Sequence, residues 1–147
     1  MKVSGSALLP APPQQVWELL TDPARLAKLL PGCERLDPDG PDRFKAAVNF
    51  AIAAISGKYA GSLEFLEKKP GKLLRLKIEG KGIPGYMHGE GSLEFHPRGE
   101  QTELRYQGEA QVGGLVAAVG QRMIDMAARK IIQQFFDSTS AALKKGA

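Results

Sequence analysis

The chain holds little with which to do covalent chemistry. Its only cysteine is Cys33. That excludes an intrachain disulfide, and it excludes a zinc or iron–sulfur thiolate cluster built from one chain. Only two histidines occur, His88 and His96. No group of His, Cys, Asp and Glu has the spacing of a metal site, so no metal and no cofactor are expected. No apolar run reaches the ~18–20 residues of a membrane span. The opening stretch MKVSGSALLPAPP has too short an apolar segment for a secretion signal, which places the protein in the cytoplasm. Lysine and arginine number 20 against 16 acids, a net charge of +4, but they are interleaved along the whole chain. Without a dense basic block, nucleic acid is not an expected partner. A weak attraction to anionic lipid or an acidic protein is what such a charge supports.

What is present is an ordinary soluble composition, 43% hydrophobic and 24% charged. At 147 residues it makes one domain, residues 1–147, with a core of its own. Lys2 to Leu9 alternates, with Val3, Gly5, Ala7 and Leu9 on one face, which predicts a strand. Pro10-Ala11-Pro12-Pro13 ends it and opens a helix carrying Val16, Trp17, Leu19 and Leu20. Asp22 caps a second short helix over Ala24 to Leu30, closed by Pro31-Gly32. A short strand is expected over Glu34 to Leu36.

From Arg43 to Val112 period-two alternation runs through successive segments separated by Gly and Pro turns. One face carries Phe44, Val48, Tyr59, Leu63, Leu76, Ile78, Met87, Leu93, Leu104 and Tyr106, while lysines, glutamates, His88 and His96 take the other. That is antiparallel sheet, wet on one side. Gly113 to Lys145 contains no proline and predicts one long amphipathic helix. Its inward face is expected to hold Val116, Gly120, Met123, Ala127, Ile131 and Phe135. The order is strand, two short helices, about six strands, long helix. This gives an α+β domain in which a curved sheet of six to seven strands grips the helix.

Glycines at inward positions are the sharpest functional signal. Gly61, Gly89, Gly91 and Gly108 stand where neighbouring strands place Leu, Phe or Tyr. Glycine within a strand costs ~0.5–1 kcal/mol relative to alanine. They either leave space for a ligand or let the sheet bend around the helix. The inward parity carries no Asp, Glu, Lys or Arg. Its polar groups are the hydroxyls of Tyr59 and Tyr106, with Thr102 near an edge. Such hydroxyls orient an otherwise apolar ligand, or else point to the rim of a core. The stretch Gly80 to Gly85 lacks the spacing of a phosphate loop and precedes a strand. Three segments are unusually apolar for loops: Leu29 to Cys33, Ala51 to Ile55 and Ile83 to Met87. They either contact a partner or pack on each other.

These segments together resemble a known family. The strand order and the terminal helix are similar to the START-like helix-grip superfamily, the birch-pollen-allergen fold. More specifically, the chain resembles the G subunit of carbon monoxide dehydrogenase. The residues that carry this are GSALLPAPPQQVWELLTDPARLAKLLPGCE at the start, QVGG before the long helix, GQRMID within it and QFF near its end. The resemblance implies an accessory protein of molybdenum-containing dehydrogenases, without catalytic residues of its own. It implies an apolar small-molecule partner, quinone- or lipid-like, a molybdenum hydroxylase complex as protein partner, and peripheral contact with the inner face of the membrane. Some members carry a C-terminal extension that could anchor them to membrane. This sequence ends at Lys144-Lys145-Gly146-Ala147, so self-anchoring is not expected.

The expected cavity is lined by Trp17, Tyr59, Gly61, Leu63, Leu76, Ile78, Met87, Gly89, Gly91, Leu104, Tyr106, Val116, Met123, Ala127 and Ile131. Two other readings stay open. One is a cyclase or hydrolase of the kind found elsewhere in the superfamily, which requires acid–base groups facing the cavity. The other is an interaction module with a closed core that docks through its apolar loops.

Overall fold

The computed structural model describes residues 1–145, and the side chains of all of these but Ala53. The expected single domain extends to residue 147, and its last two residues lie outside the described ones. Strand β1 (Lys2–Leu9) is followed by helices α1 (Pro13–Thr21) and α2 (Pro23–Leu29). Strands β2 (Cys33–Pro38), β3 (Arg43–Phe50), β4 (Gly57–Lys69), β5 (Leu73–Gly82), β6 (Gly85–Arg98) and β7 (Gln101–Gly113) form the meander. Helix α3 (Gln121–Lys144) closes the fold. The seven strands make one antiparallel sheet in the order β1-β7-β6-β5-β4-β3-β2. This is the α+β helix-grip architecture, with the predicted pair of short helices after the first strand.

Local chemistry sets the boundaries. Pro13 sits in the first turn of α1, where no amide donor is needed. The Asp22 carboxylate accepts from the Ala24 amide at 3.1 Å and so caps α2. Strand β1 crosses back to pair with β7, matching Ala7 to Leu104 and Leu9 to Thr102. The Thr102 hydroxyl, fully buried, donates to the Ala11 carbonyl at 2.7 Å and ties the start of β7 to the turn before α1. Helix α1 lies over β6 and β7. There Leu9, Val16, Leu19, Leu20 and Leu104 are almost wholly buried, and Trp17 meets Phe95 edge-on at 5.5 Å. Each such Leu contributes roughly 1.5–3 kcal/mol by leaving water. This end of the sheet is a packed core.

The terminal helix begins later than the periodicity predicts. Gly113 is the last residue of β7, and Leu115–Val119 forms a separate 3₁₀ turn. Gly120 has φ 95° and ψ 154°, a backbone conformation open essentially to glycine alone, and α3 starts after it. The Val116 amide donates to the Pro84 carbonyl at 2.6 Å, which holds the 3₁₀ turn against the β5–β6 connection. The break alters which residues of the first turn face inward. The buried residues of α3 are Ile124, Ala127, Phe136, Thr139 and Leu143. Met123, inward by periodicity, is 41% exposed, and Met126 is exposed beside it.

Candidate ligand cavity

Toward the other end of the sheet, α3 and the strands do not meet closely. A cavity of about 330 Å³ lies between them. Its floor is the inner face of β4 to β7: Leu63, Phe65, Leu74, Leu76, Ile78, Met87, Leu93 and Tyr106, with Gly89, Gly91 and Gly108. Its roof is Ala128, Ile131, Ile132, Phe135 and Phe136 of α3. Met1 and Val3 close one side, and Leu20, Leu26, Leu30 and Pro31 the other. Glu90, Ser92, Gln107 and Glu109 also border it. They belong to the outward parity, so they bring main chain to the inner wall where the glycines bare it.

Among the residues expected at the cavity, Leu63, Leu76, Ile78, Met87, Gly89, Gly91, Tyr106 and Ile131 border it. The others stand elsewhere. Trp17 and Leu104 belong to the packed end. Ala127 is buried at the edge of the roof and does not border the space. Val116 packs against Gly85, and Met123 faces solvent. At Gly61 a Cβ would run into the Glu79 carbonyl oxygen, so that glycine serves the close approach of β4 to β5. The Tyr59 hydroxyl donates to the Ile55 carbonyl at 2.9 Å and its ring lies 5.6 Å from Phe50, which pins the loop after β3. Burial pushes that phenol above its ordinary pKa.

Sequence reasoning misses the walls given by Met1, Val3, Leu20, Leu26, Leu30 and Pro31, together with Ala128, Ile132 and Phe136. Val3 has the inward parity that could have found it. The leucines of α1 and α2 carry no such signal, because their facing depends on how the two helices fold over the sheet. Ile132 and Phe136 lie beside Ile131 and Phe135 on a face broader than the single row the periodicity picks out.

The glycine question has a geometric answer. A Cβ on Gly89 would lie 2.7 Å from the Glu109 carbonyl oxygen and 3.1 Å from the Ala110 Cβ. On Gly91 it would lie 3.0 Å from the Gln107 carbonyl oxygen. Gly89 is therefore needed by the neighbouring strand and Gly91 is held close to it, and the hollow above them follows from the same lack of side chains.

Ionisable chemistry is sparse here. His88 is exposed on the outer face, and His96 Nε2 stands 3.1 Å from the Glu94 carboxylate, also outside. Burial raises the pKa of the Cys33 thiol, which donates to the Arg35 carbonyl at 3.3 Å, far from thiolate reactivity. No group of three or more His, Cys, Asp and Glu suited to a metal exists among the described residues. No helix is long and apolar enough to cross a membrane, among the described residues.

A family model described as the G subunit of carbon monoxide dehydrogenase (CoxG) matches residues 5–144. Among solved structures, a conserved protein from Geobacillus kaustophilus is 37% identical, with a TM-score of 0.96 over 99% of this chain and 96% of that one. A protein from Chromobacterium violaceum is 22% identical, with a TM-score of 0.73 over 97% of this chain and 96% of that one. The Zhui aromatase/cyclase from Streptomyces sp. R1128 shares the fold at 13% identity, with a TM-score of 0.75 over 99% of this chain and 94% of that one. No curated protein matches the chain.

Proposed function

The chain belongs to the CoxG family of carbon monoxide dehydrogenase, and on that footing we propose that it is a non-catalytic carrier of an apolar small molecule, quinone- or lipid-like. One observation carries this reading: a hollow of about 330 Å³ whose inward side chains are apolar but for the Tyr106 phenol. An engineered 150 Å³ apolar cavity holds one benzene, so this hollow suits about a dozen carbon atoms. A cyclase of the superfamily needs an acid or base beside the reacting carbon. One phenol with no charged side chain facing inward is a poor candidate for that work.

The partner in this proposal is a molybdenum-containing dehydrogenase, met at the end of the molecule remote from α1. Ile83 is 91% exposed there, at the β5–β6 turn, with Tyr86, Leu115, Val119, Met123 and Met126 also in solvent. The bond from Val116 to Pro84 and the contact of Tyr86 with Gly113 bring these residues to one end. Lys81 and Arg122 adjoin them in sequence, and the main chain of Lys58 lies against Gly82. Such a surface suits a partner protein or the anionic inner face of a membrane.

Mass spectrometry of a solvent extract of the purified protein tests the carrier reading, and a compound with an apolar chain or ring system is expected. Substituting Ala128→Phe should fill the roof, abolish binding of a neutral fluorescent probe and leave the melting temperature unchanged or higher. An extract free of apolar compounds, from a protein that also binds no such probe, would overturn the proposal.

A further inference from the structure

A second hollow of about 680 Å³ lies outside the first, between the free edge of β1 and α3. Both are bordered by Val3, Tyr106, Ile132 and Phe136, so those four residues are the wall between them. The Tyr106 and Phe136 rings stand 5.4 Å apart across that seam. Gly5 makes room for the phenol, since a Cβ there would lie 2.5 Å from its oxygen. The two spaces differ in chemistry. The inner one is apolar, while the outer one is bordered by Lys2, Ser4, Ser6, Asp125, Arg129 and Gln133.

The charges of the outer cleft are not all satisfied within the protein. Lys2 pairs with Glu109 at 3.3 Å. Asp125 accepts from the Gln121 side chain at 2.7 Å. Gln133 donates to Asp137 at 2.8 Å. Arg129 enters no ion pair among the described residues, although Asp125 is one helical turn away. Lys2 lies on the outer parity of β1 and is matched by Glu109, so Arg129 alone among the described residues supplies the cleft with a free guanidinium. A charged head would not follow a chain past Tyr106 into the inner hollow, because the side chains there are apolar and the Met1 ammonium at its border already donates to the Ala110 carbonyl at 3.0 Å. An arginine fork at the mouth would instead hold it by charge-assisted hydrogen bonds.

We propose that the ligand is an amphiphile that threads the β1–α3 seam, with its apolar chain in the inner cavity and an anionic, carboxylate-like head in the outer cleft against Arg129. This rests on the carrier reading and adds the class of ligand and its direction.

Displacement of neutral Nile red by dodecanoate and by dodecan-1-ol tests it. Dodecanoate should displace the dye at about one-tenth the concentration that the alcohol needs. The exposed Arg129→Gln variant should fold normally and lose that preference, binding the alcohol as before. Arg129→Lys should keep most of it, and Asp125→Asn should widen it. Equal potency of acid and alcohol in the native protein overturns the head site and leaves the carrier reading standing, and so does an unchanged preference in Arg129→Gln. If Nile red does not bind, or neither compound displaces it, the carrier reading fails and this inference with it.

Discussion

A methyl group on Gly89 would be pressed between the Glu109 carbonyl and Ala110, both fixed by the β6–β7 ladder. Gly89→Ala should therefore cost about 1–3 kcal/mol of stability, as overpacking does, read from urea unfolding. Ala128 offers the control, because it already has a Cβ and borders the same space. A neutral Gly89→Ala variant would mean that the strands can part there, and that the glycine was kept for volume. Glu103 gives a prediction of another kind. Its carboxylate receives Arg105 Nε at 2.7 Å and Arg98 Nη2 at 2.9 Å. The Arg105 hydrogen bond, aided by the charges of both arginines, holds its pKa below the ordinary value. A depressed carboxylate stabilises the fold above its unfolded-state pKa, and that share fades as pH falls through the folded value. Glu103→Gln should lower the melting temperature slightly at neutral pH and low salt, and not at all once the carboxylates are protonated. Because the site is solvent-facing, salt should shrink the difference. A gap that persists in acid would show that the charge is not its source.

Among the elements, the strands are the most legible in the sequence. Alternation assigns Leu74, Leu76, Ile78, Met87 and Leu93 to the inner face because a strand has period two whatever surrounds it. The helix is legible in existence but not in the facing of its first turn. A 3.6-residue period started at Gly113 runs unbroken through Gly120, whose dihedral angles no pattern of hydrophobicity reports. A phase anchored before the break fails in the first turn after it, where Met123 falls inside by periodicity, while Ala127, Ile131 and Phe135 are inward as expected. The cavity inherits that limit: its floor can be anticipated, while its roof and the α1–α2 wall depend on tertiary placement. The same glycine yields a prediction. Gly120→Ala meets no atom within 4 Å, so any cost is conformational. About 1–3 kcal/mol is expected for holding a Cβ-bearing residue at that φ and ψ. Thermal unfolding that matches the parent would mean the break relaxes into a continuous helix, which far-ultraviolet circular dichroism would show as added helicity.

At the scale of the molecule, the fold is packed under α1 and hollow under the middle of α3. Leu9, Leu104 and Thr102 fill one end of β1 and β7, and the cavity opens further along β7 at Tyr106, Gly108 and Ala110. One strand thus runs from solid core to empty space. Amide hydrogen exchange should record that gradient as a clock. Amides of β7 near Thr102 and Leu104 should exchange only when the whole protein unfolds, whereas those near Gly108 and Ala110 should exchange by local opening, at a rate nearer that of loops. Filling the hollow would slow the second group and leave the first alone, because a ligand adds contacts only where they are missing. Uniform protection along β7, with or without a bound molecule, would show that the hollow closes in solution. In the expected case, the slow end sets the lifetime of the fold, and the fast end sets how quickly the protein can take up and release its cargo.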